Sequence, residues 1–265
     1  MTEEIYDPLE TESALKALVA LTRSLPEPFV VLGGWAVYLT SSESFRREHG
    51  SAYLGSRDVD VGFHIDLEMS VEELRNSTFS KAIDIVTKAG YCPIGSFRYC
   101  KFVRKGTGEI LAEEDAKKVP IHDLFYLYLD MMVDRIHPRH KEVFGSLALD
   151  EPVLARIFDE RAGTYVSIGD DRIMIPPPHL LLASKLGAIP NRQKDDKIIK
   201  DACDIYSIIW HSPEKYDAII SSVKKEYPKE CMAARKAISE EVASKAARHL
   251  GIDLEQYSRV ISLLK

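Results

Sequence analysis

Apolar residues recur at helical spacing over residues 10–25, where Leu15, Leu18, Leu21 and Leu25 share a face; Pro26 and Pro28 end that helix. Residues 29–32 are a short apolar run of the buried-strand type. Residues 35–40 read as a helix, and 41–54 as a polar connection. Residues 57–65 alternate in the manner of a strand. Residues 70–89 are helical, with Gly90 as the residue just past the end. Residues 96–103 and 120–129, rich in Tyr, Phe, Val and Ile, are strand candidates, and the charged, Gly-containing stretch 105–118 separates them. Residues 150–161 are helical, and 165–168 with 172–175 form a hairpin around Gly169-Asp170-Asp171. Pro176-Pro177-Pro178 is a stiff stretch and the best boundary in the chain. Helical patterns follow over 179–189, 194–210, 213–227, 229–250 and 253–264. The expected fold is α+β. Residues 1–175 would hold a mixed or antiparallel sheet flanked by helices, and residues 176–265 a helical domain.

Composition narrows the function classes. The chain has 265 residues, 45% hydrophobic and 29% charged, which supports a core of soluble-protein type. A net charge of −6 argues against a broadly basic nucleic-acid coat, although a local basic groove stays open. The acidic start Met1-Thr2-Glu3-Glu4 lacks the apolar core of a signal peptide, and no stretch is long and apolar enough to span a bilayer. The expected location is cytoplasmic, with no membrane partner. Cys92, Cys100, Cys203 and Cys231 show no Cys-x-x-Cys spacing and read as buried free thiols.

The densest chemistry lies at Asp58-Val59-Asp60. On a strand the two carboxylates point to one side, where they repel unless a cation lies between them. Oxygen ligands of that kind suit Mg²⁺ shared with substrate phosphates. Ser56 shares their face and could touch a phosphate, whereas Arg57 faces away. Upstream, Gly33-Gly34 ends an apolar run and precedes a helix, a place where backbone N–H groups can approach a phosphate. A transfer site of this type needs a third acidic residue. Asp123 lies within an apolar run, with Asp130 and Asp134 as rivals. In the second half, Lys185 sits among Leu181, Leu182, Leu186 and Ile189, so it must snorkel or meet an anion, either a triphosphate or an aspartate. Asp201 and Asp204 share a helical face and could position Lys185, Lys200 or Arg192. The plainer reading is a solvated charged face over 194–200. His137 and His140 read as solvated loop residues, and Trp35 as a core residue at a helix start.

Gly33-Gly34, Asp58-x-Asp60 and an Asp on a later strand, in that order, resemble the polymerase-β-like nucleotidyltransferase superfamily. The resemblance implies that the Gly pair contacts nucleotide phosphates, that the Asp pair carries metal, and that the third Asp helps to activate the attacking hydroxyl. The gap at residues 35–57 is longer than that family's usual one. Leu181-Leu182-Ala183-Ser184-Lys185-Leu186, Arg192 and Lys200-Asp201-Ala202-Cys203-Asp204 resemble, more narrowly, the AbiEii-type nucleotidyltransferases of toxin–antitoxin and phage-defence systems, across residues 29–210. The resemblance implies Mg²⁺ or Mn²⁺ on Asp58, Asp60 and Asp123, and an NTP substrate at Gly33, Gly34, Ser56, Lys185, Arg192, Asp201 and Asp204. Lys185 would join the three aspartates in catalysis. The helical domain would bring Lys185 and residues 200–204 to the cleft. The acceptor would be tRNA, a protein or a small molecule, with no DNA and with room for an antitoxin partner. Competing readings are a non-catalytic nucleotide-binding or protein-interaction module that keeps the fold, and a toxin-like protein acting through its C-terminal bundle.

Overall fold

The structure, a computed structural model, describes residues 8–95, 98–147 and 149–265. In chain order the elements are α1 (Pro8–Ser24), β1 (Val30–Val31), α2 (Gly33–His49), β2 (Asp58–Phe63), α3 (Val71–Arg75) and α4 (Thr78–Lys88). Then come β3 (Cys92–Ile94), β4 (Arg98–Arg104), β5 (Ile110–Leu111), α5 (Glu113–Ala116), β6 (Leu124–Val133), α6 (His140–Phe144), β7 (Leu149–Asp150) and α7 (Pro152–Asp159). The hairpin β8 (Thr164–Ile168) and β9 (Asp171–Ile175) precedes six helices. These are α8 (Pro178–Ala188), α9 (Asp195–His211), α10 (Tyr216–Glu226), α11 (Pro228–Ala237), α12 (Glu240–Leu250) and α13 (Leu254–Ser262).

The described residues fall into two compact units. The sheet unit comprises Pro8–Leu32 and Gly55–Ile175, and the helical unit comprises Gly33–Leu54 and Pro176–Lys265. The helical unit is therefore discontinuous in sequence, with α2 joining α8–α13. Among the described residues no helix is long and apolar enough to cross a membrane.

The sheet is mixed and runs β3-β4-β6-β2-β1-β9-β8, with β5 on β4 and β7 on β6. At its centre β2 pairs parallel with β6 and antiparallel with β1, while β6 pairs antiparallel with β4. Val59, Val61, Phe63, Leu129, Met131 and Val133 alternate along β2 and β6 and are all buried. Phe63 meets Phe79 of α4 edge-on at 5.6 Å, which fixes this face as the core side. Gly62 lies on the other face, where a Cβ would come within 2.4 Å of Leu154 on α7. Only a glycine lets that helix approach β2 so closely.

Several elements differ from the sequence expectation for local reasons. The helix expected to stop at Thr40 runs on to His49, because Ser41 and Phe45 continue its buried stripe through a polar-looking run. The helix expected over 70–89 breaks at Asn76, and Ser77 caps α4 by accepting the Ser80 N–H. The strand expected over 120–129 begins at Leu124 and runs to Val133, since residues 121–123 form a 3-10 turn. The strand expected over 96–103 is described from Arg98, and its first two residues lie outside the described ones. Ser239 splits the long helix expected over 229–250 by capping α12 through the Val242 N–H.

Candidate metal and nucleotide site

Strand alternation places Asp58 and Asp60 on the face of β2 opposite the buried valines. Parallel pairing then sets Asp58 opposite Tyr128 and Asp60 opposite Asp130 of β6. Partners in register project to the same face, so Asp58, Asp60 and Asp130 line one side of two central strands. Antiparallel pairing adds Arg98 of β4, opposite Asp130. Asp58 and Asp130 are buried at 8% and 6% relative exposure, and Asp60 is half-buried.

Arg98 is the charge that answers this cluster. Its Nε donates to Asp130 Oδ1 at 2.6 Å and its Nη2 to Asp130 Oδ2 at 2.5 Å, a two-pronged grip on one carboxylate. The same Nη2 stands 3.8 Å from Asp58 Oδ2, and the guanidinium lies 4.7 Å from the Tyr128 ring centroid. The Asp130 hydrogen bond, then the charges of Asp130, Asp58 and Asp60, raise the guanidinium pKa against the opposing pull of burial. A single positive charge thus sits where the aspartates converge. Three oxygen donors gathered around one cation fit Mg²⁺, or Mn²⁺, as a group to be held there.

The expected third carboxylate, Asp123, is placed elsewhere. It ends the 3-10 turn before β6, more than half exposed, five residues before the partner of Asp58. That is roughly 15 Å along a strand. The structure brings Asp130 to the pair instead, because the strand starts later than its apolar run suggests. The other rival, Asp134, is tied down at the far end of β2. Its carboxylate accepts the Ile65 N–H at 2.8 Å and contacts His64 Nδ1 at 2.5 Å. Ser56 is buried just ahead of β2. His137 and His140, expected in solvent, are also buried: His137 accepts the Arg139 N–H at 3.0 Å, and burial lowers the His140 pKa.

The remaining predicted residues belong to the helical unit. Gly33 opens α2 with a φ of 62°, a left-handed conformation that suits glycine, and Gly34 is buried behind it. Lys185 of α8 is 7% exposed, with its ammonium 2.8 Å from both Asp201 Oδ1 and Asp204 Oδ2 of α9. Arg192 Nε donates to Asp201 Oδ2 at 2.6 Å, and Lys200 donates to Asp204. Tyr53, which the sequence reading passed over, donates its hydroxyl to Asp204 Oδ1 at 2.6 Å. Burial pulls the Lys185 pKa down, but Asp201 and then Asp204 outweigh it, and the net shift is upward. Burial raises the Asp201 pKa, but Lys185 and Arg192 outweigh it, and the net shift is downward. Both partners are therefore held charged inside the unit. The anion that Lys185 needed is an aspartate pair on the neighbouring helix.

Arg98 and Tyr53 are the site residues that sequence reasoning missed. Arg98 carried one weak signal, a cation opening a strand of aromatic and apolar residues that also holds Lys101 and Arg104. No protein-family model matches the chain, and no curated protein sequence matches it significantly. Among solved structures it resembles the crystal structure of an antigenic nucleotidyltransferase-like protein from Paracoccidioides brasiliensis. The two share 13% sequence identity at a TM-score of 0.41, over 86% of this chain and 93% of that one.

Proposed function

We propose that the chain is a Mg²⁺-dependent nucleotidyltransferase that moves NMP from NTP to an acceptor hydroxyl on tRNA, a protein or a small molecule. The observation that supports this reading best is the convergence of Asp58, Asp60 and Asp130 on one face of β2 and β6. Asp58 and Asp60 would hold the metal, which supplies positive charge to phosphate oxygens. Asp130, oriented by the two N–H groups of Arg98, is the group to receive the acceptor proton. The acceptor oxygen bonds to the α-phosphorus as the bond to the bridging oxygen breaks, and pyrophosphate leaves. Arg98, beside Asp58, is suited to the charge on phosphate oxygens because guanidinium matches them in a planar fork. Ser56 is assigned to phosphate in the same reading, and a toxin-like role with an antitoxin partner goes with it.

The test is incubation of the purified chain with each labelled NTP, Mg²⁺ and separate RNA, protein and small-molecule fractions. Label should enter one fraction. Asp58→Asn and Asp60→Asn should each lower transfer by at least about 100-fold, the scale of losing one charge-stabilising group. Asp130→Asn should fall likewise, and Asp123→Asn should keep full transfer. Undiminished transfer in Asp58→Asn would sink the proposal. The Arg98 grip on Asp130 gives weight to a second reading, a nucleotide-binding module without catalysis. Mg²⁺-dependent NTP binding with no transfer to any fraction would favour it.

A further inference from the structure

Within the helical unit the carboxyl ends of α2 and α9 pack against each other. Glu48 and His49 are the last two residues of α2, and His211 is the last of α9. One ligand atom from each of the three lies within 4.8 Å of the others. His49 Nε2 is 3.7 Å from one Glu48 oxygen, and His211 Nδ1 is 4.0 Å from the other. His211 is wholly buried at 0% exposure, and Nε2 of both imidazoles is buried without a hydrogen-bond partner. Buried nitrogens left unsatisfied are costly, and two together in a native core call for an explanation.

We propose that Glu48, His49 and His211 form a binding site for a divalent transition metal of the Zn²⁺ class, one nitrogen from each imidazole and a carboxylate oxygen acting as ligands. Imidazoles with a carboxylate are a zinc donor set, and zinc with three protein ligands keeps a further position for water or another group. Glu48 is 43% exposed at its side chain and is the open side of the site. Ligands about 2.0–2.1 Å from a tetrahedral ion lie about 3.4 Å from each other. The 3.7 Å between His49 Nε2 and Glu48 needs only a few tenths of an ångström of closure, and the three ligand atoms already lie within 4.8 Å of one another. Both helices also end here, so the negative ends of two helix dipoles favour a cation.

The surroundings fit a ligand pair. Phe45 packs against both imidazoles, with ring centroids 4.3 Å from His49 and 5.0 Å from His211. Ser44 Oγ, 3.3 Å from His211 Nδ1, is placed to orient that ring, as outer-shell partners of metal-bound histidines do. Trp210 Nε1 donates to Glu48 at 3.3 Å and steadies the carboxylate. Burial pushes the His211 pKa down to about 4, which leaves the neutral form that can ligate. The donor set differs in kind from Asp58, Asp60 and Asp130. Oxygen ligands select Mg²⁺ or Mn²⁺, while imidazoles select Zn²⁺ and its neighbours.

The experiment is calorimetric titration of the chelator-stripped full-length chain with Zn²⁺, followed by visible absorption with Co²⁺. One Zn²⁺ per chain and a tetrahedral Co²⁺ spectrum are expected. Glu48→Gln and His49→Gln should each weaken Zn²⁺ by at least about tenfold, since losing even an outer-shell partner costs 10–100-fold. The Asp58→Asn/Asp60→Asn double variant should keep the site. Glu48 is exposed, so its variant decides the matter even if the His49 variant misfolds. A folded wild-type chain that takes up no Zn²⁺, or a Glu48→Gln chain with unchanged affinity and spectrum, would overturn the proposal.

Discussion

Arg98 gives two N–H groups to Asp130 and still lies 3.8 Å from Asp58, so one guanidinium serves a whole carboxylate cluster. Removing it leaves Asp130, at 6% exposure, without its counter-charge. Breaking a fully buried pair costs about 3–5 kcal/mol; Arg98 is only partly buried, so Arg98→Met should cost about 2 kcal/mol in urea unfolding. The same change frees the aspartates for another cation. Mg²⁺ should therefore raise the Tm of Arg98→Met more than that of the wild type, and an equal shift in both would separate Arg98 from the metal. The Asp58–Asp60 pair was legible in the sequence because strand alternation alone puts the two on one face. Asp130 was not separable from Asp123, because the choice depends on the register of β2 on β6, which no local pattern encodes. An apolar run pointed to Asp123, but the run starts as a 3-10 turn and exposes it. Arg98 was hidden for a related reason: its partner lies 32 positions away.

Elements are held by contacts of two kinds, a close approach and a buried ion network. On β2, an added methyl at Gly62 would reach 2.4 Å from Leu154, so Gly62→Ala forces α7 to shift or Leu154 to leave its rotamer. Such overpacking costs about 1–3 kcal/mol. Since both residues share one space, the Gly62→Ala/Leu154→Ala double variant should lose less stability than the sum of the singles. Between α8 and α9, Lys185 lies between Asp201 and Asp204, both nearly inaccessible. Lys185→Met leaves those carboxylates with Arg192 and Lys200 as their remaining counter-charges and should cost about 3 kcal/mol. The Asp201 pKa is lower folded than unfolded, so its stabilisation is complete above the unfolded value near 4. It is lost as pH falls through the lower folded value. Asp201→Asn should flatten the fall in stability below about pH 4, and unfolding midpoints from pH 2 to 6 would read it. The hairpin β8–β9 and the helices after Pro176 follow patterns that the sequence showed plainly. The breaks at Asn76 and Ser239 did not, because a serine cap inside a continuous apolar stripe looks like an ordinary polar position.

At the scale of the molecule, the helical unit is assembled from two separate pieces of chain, 33–54 and 176–265. The sequence marks one end of it with Pro176-Pro177-Pro178 but gives no sign of residues 33–54, because the contacts that recruit them span more than 150 positions. Ser41 Oγ donates to the Ser207 carbonyl at 3.3 Å, the Tyr53 hydroxyl reaches Asp204, and the Phe45 ring meets His211 at 5.0 Å. Burying Phe45 and Tyr53 alone contributes about 1.5–3 kcal/mol each. Their sum is a large share of the 5–15 kcal/mol that holds a typical domain folded. A fragment of residues 176–265, cut at the proline stretch, would expose the face of α9 that α2 covers and leave Asp204 without the Tyr53 donor. It should stay helical by circular dichroism, bind a hydrophobic dye and melt broadly, the marks of a collapsed but loosely packed state. Adding residues 33–54 in trans should suppress dye binding and sharpen the melt. A fragment that melts sharply without them would mean that α8–α13 hold their core alone, and that α2 rests on a unit already complete.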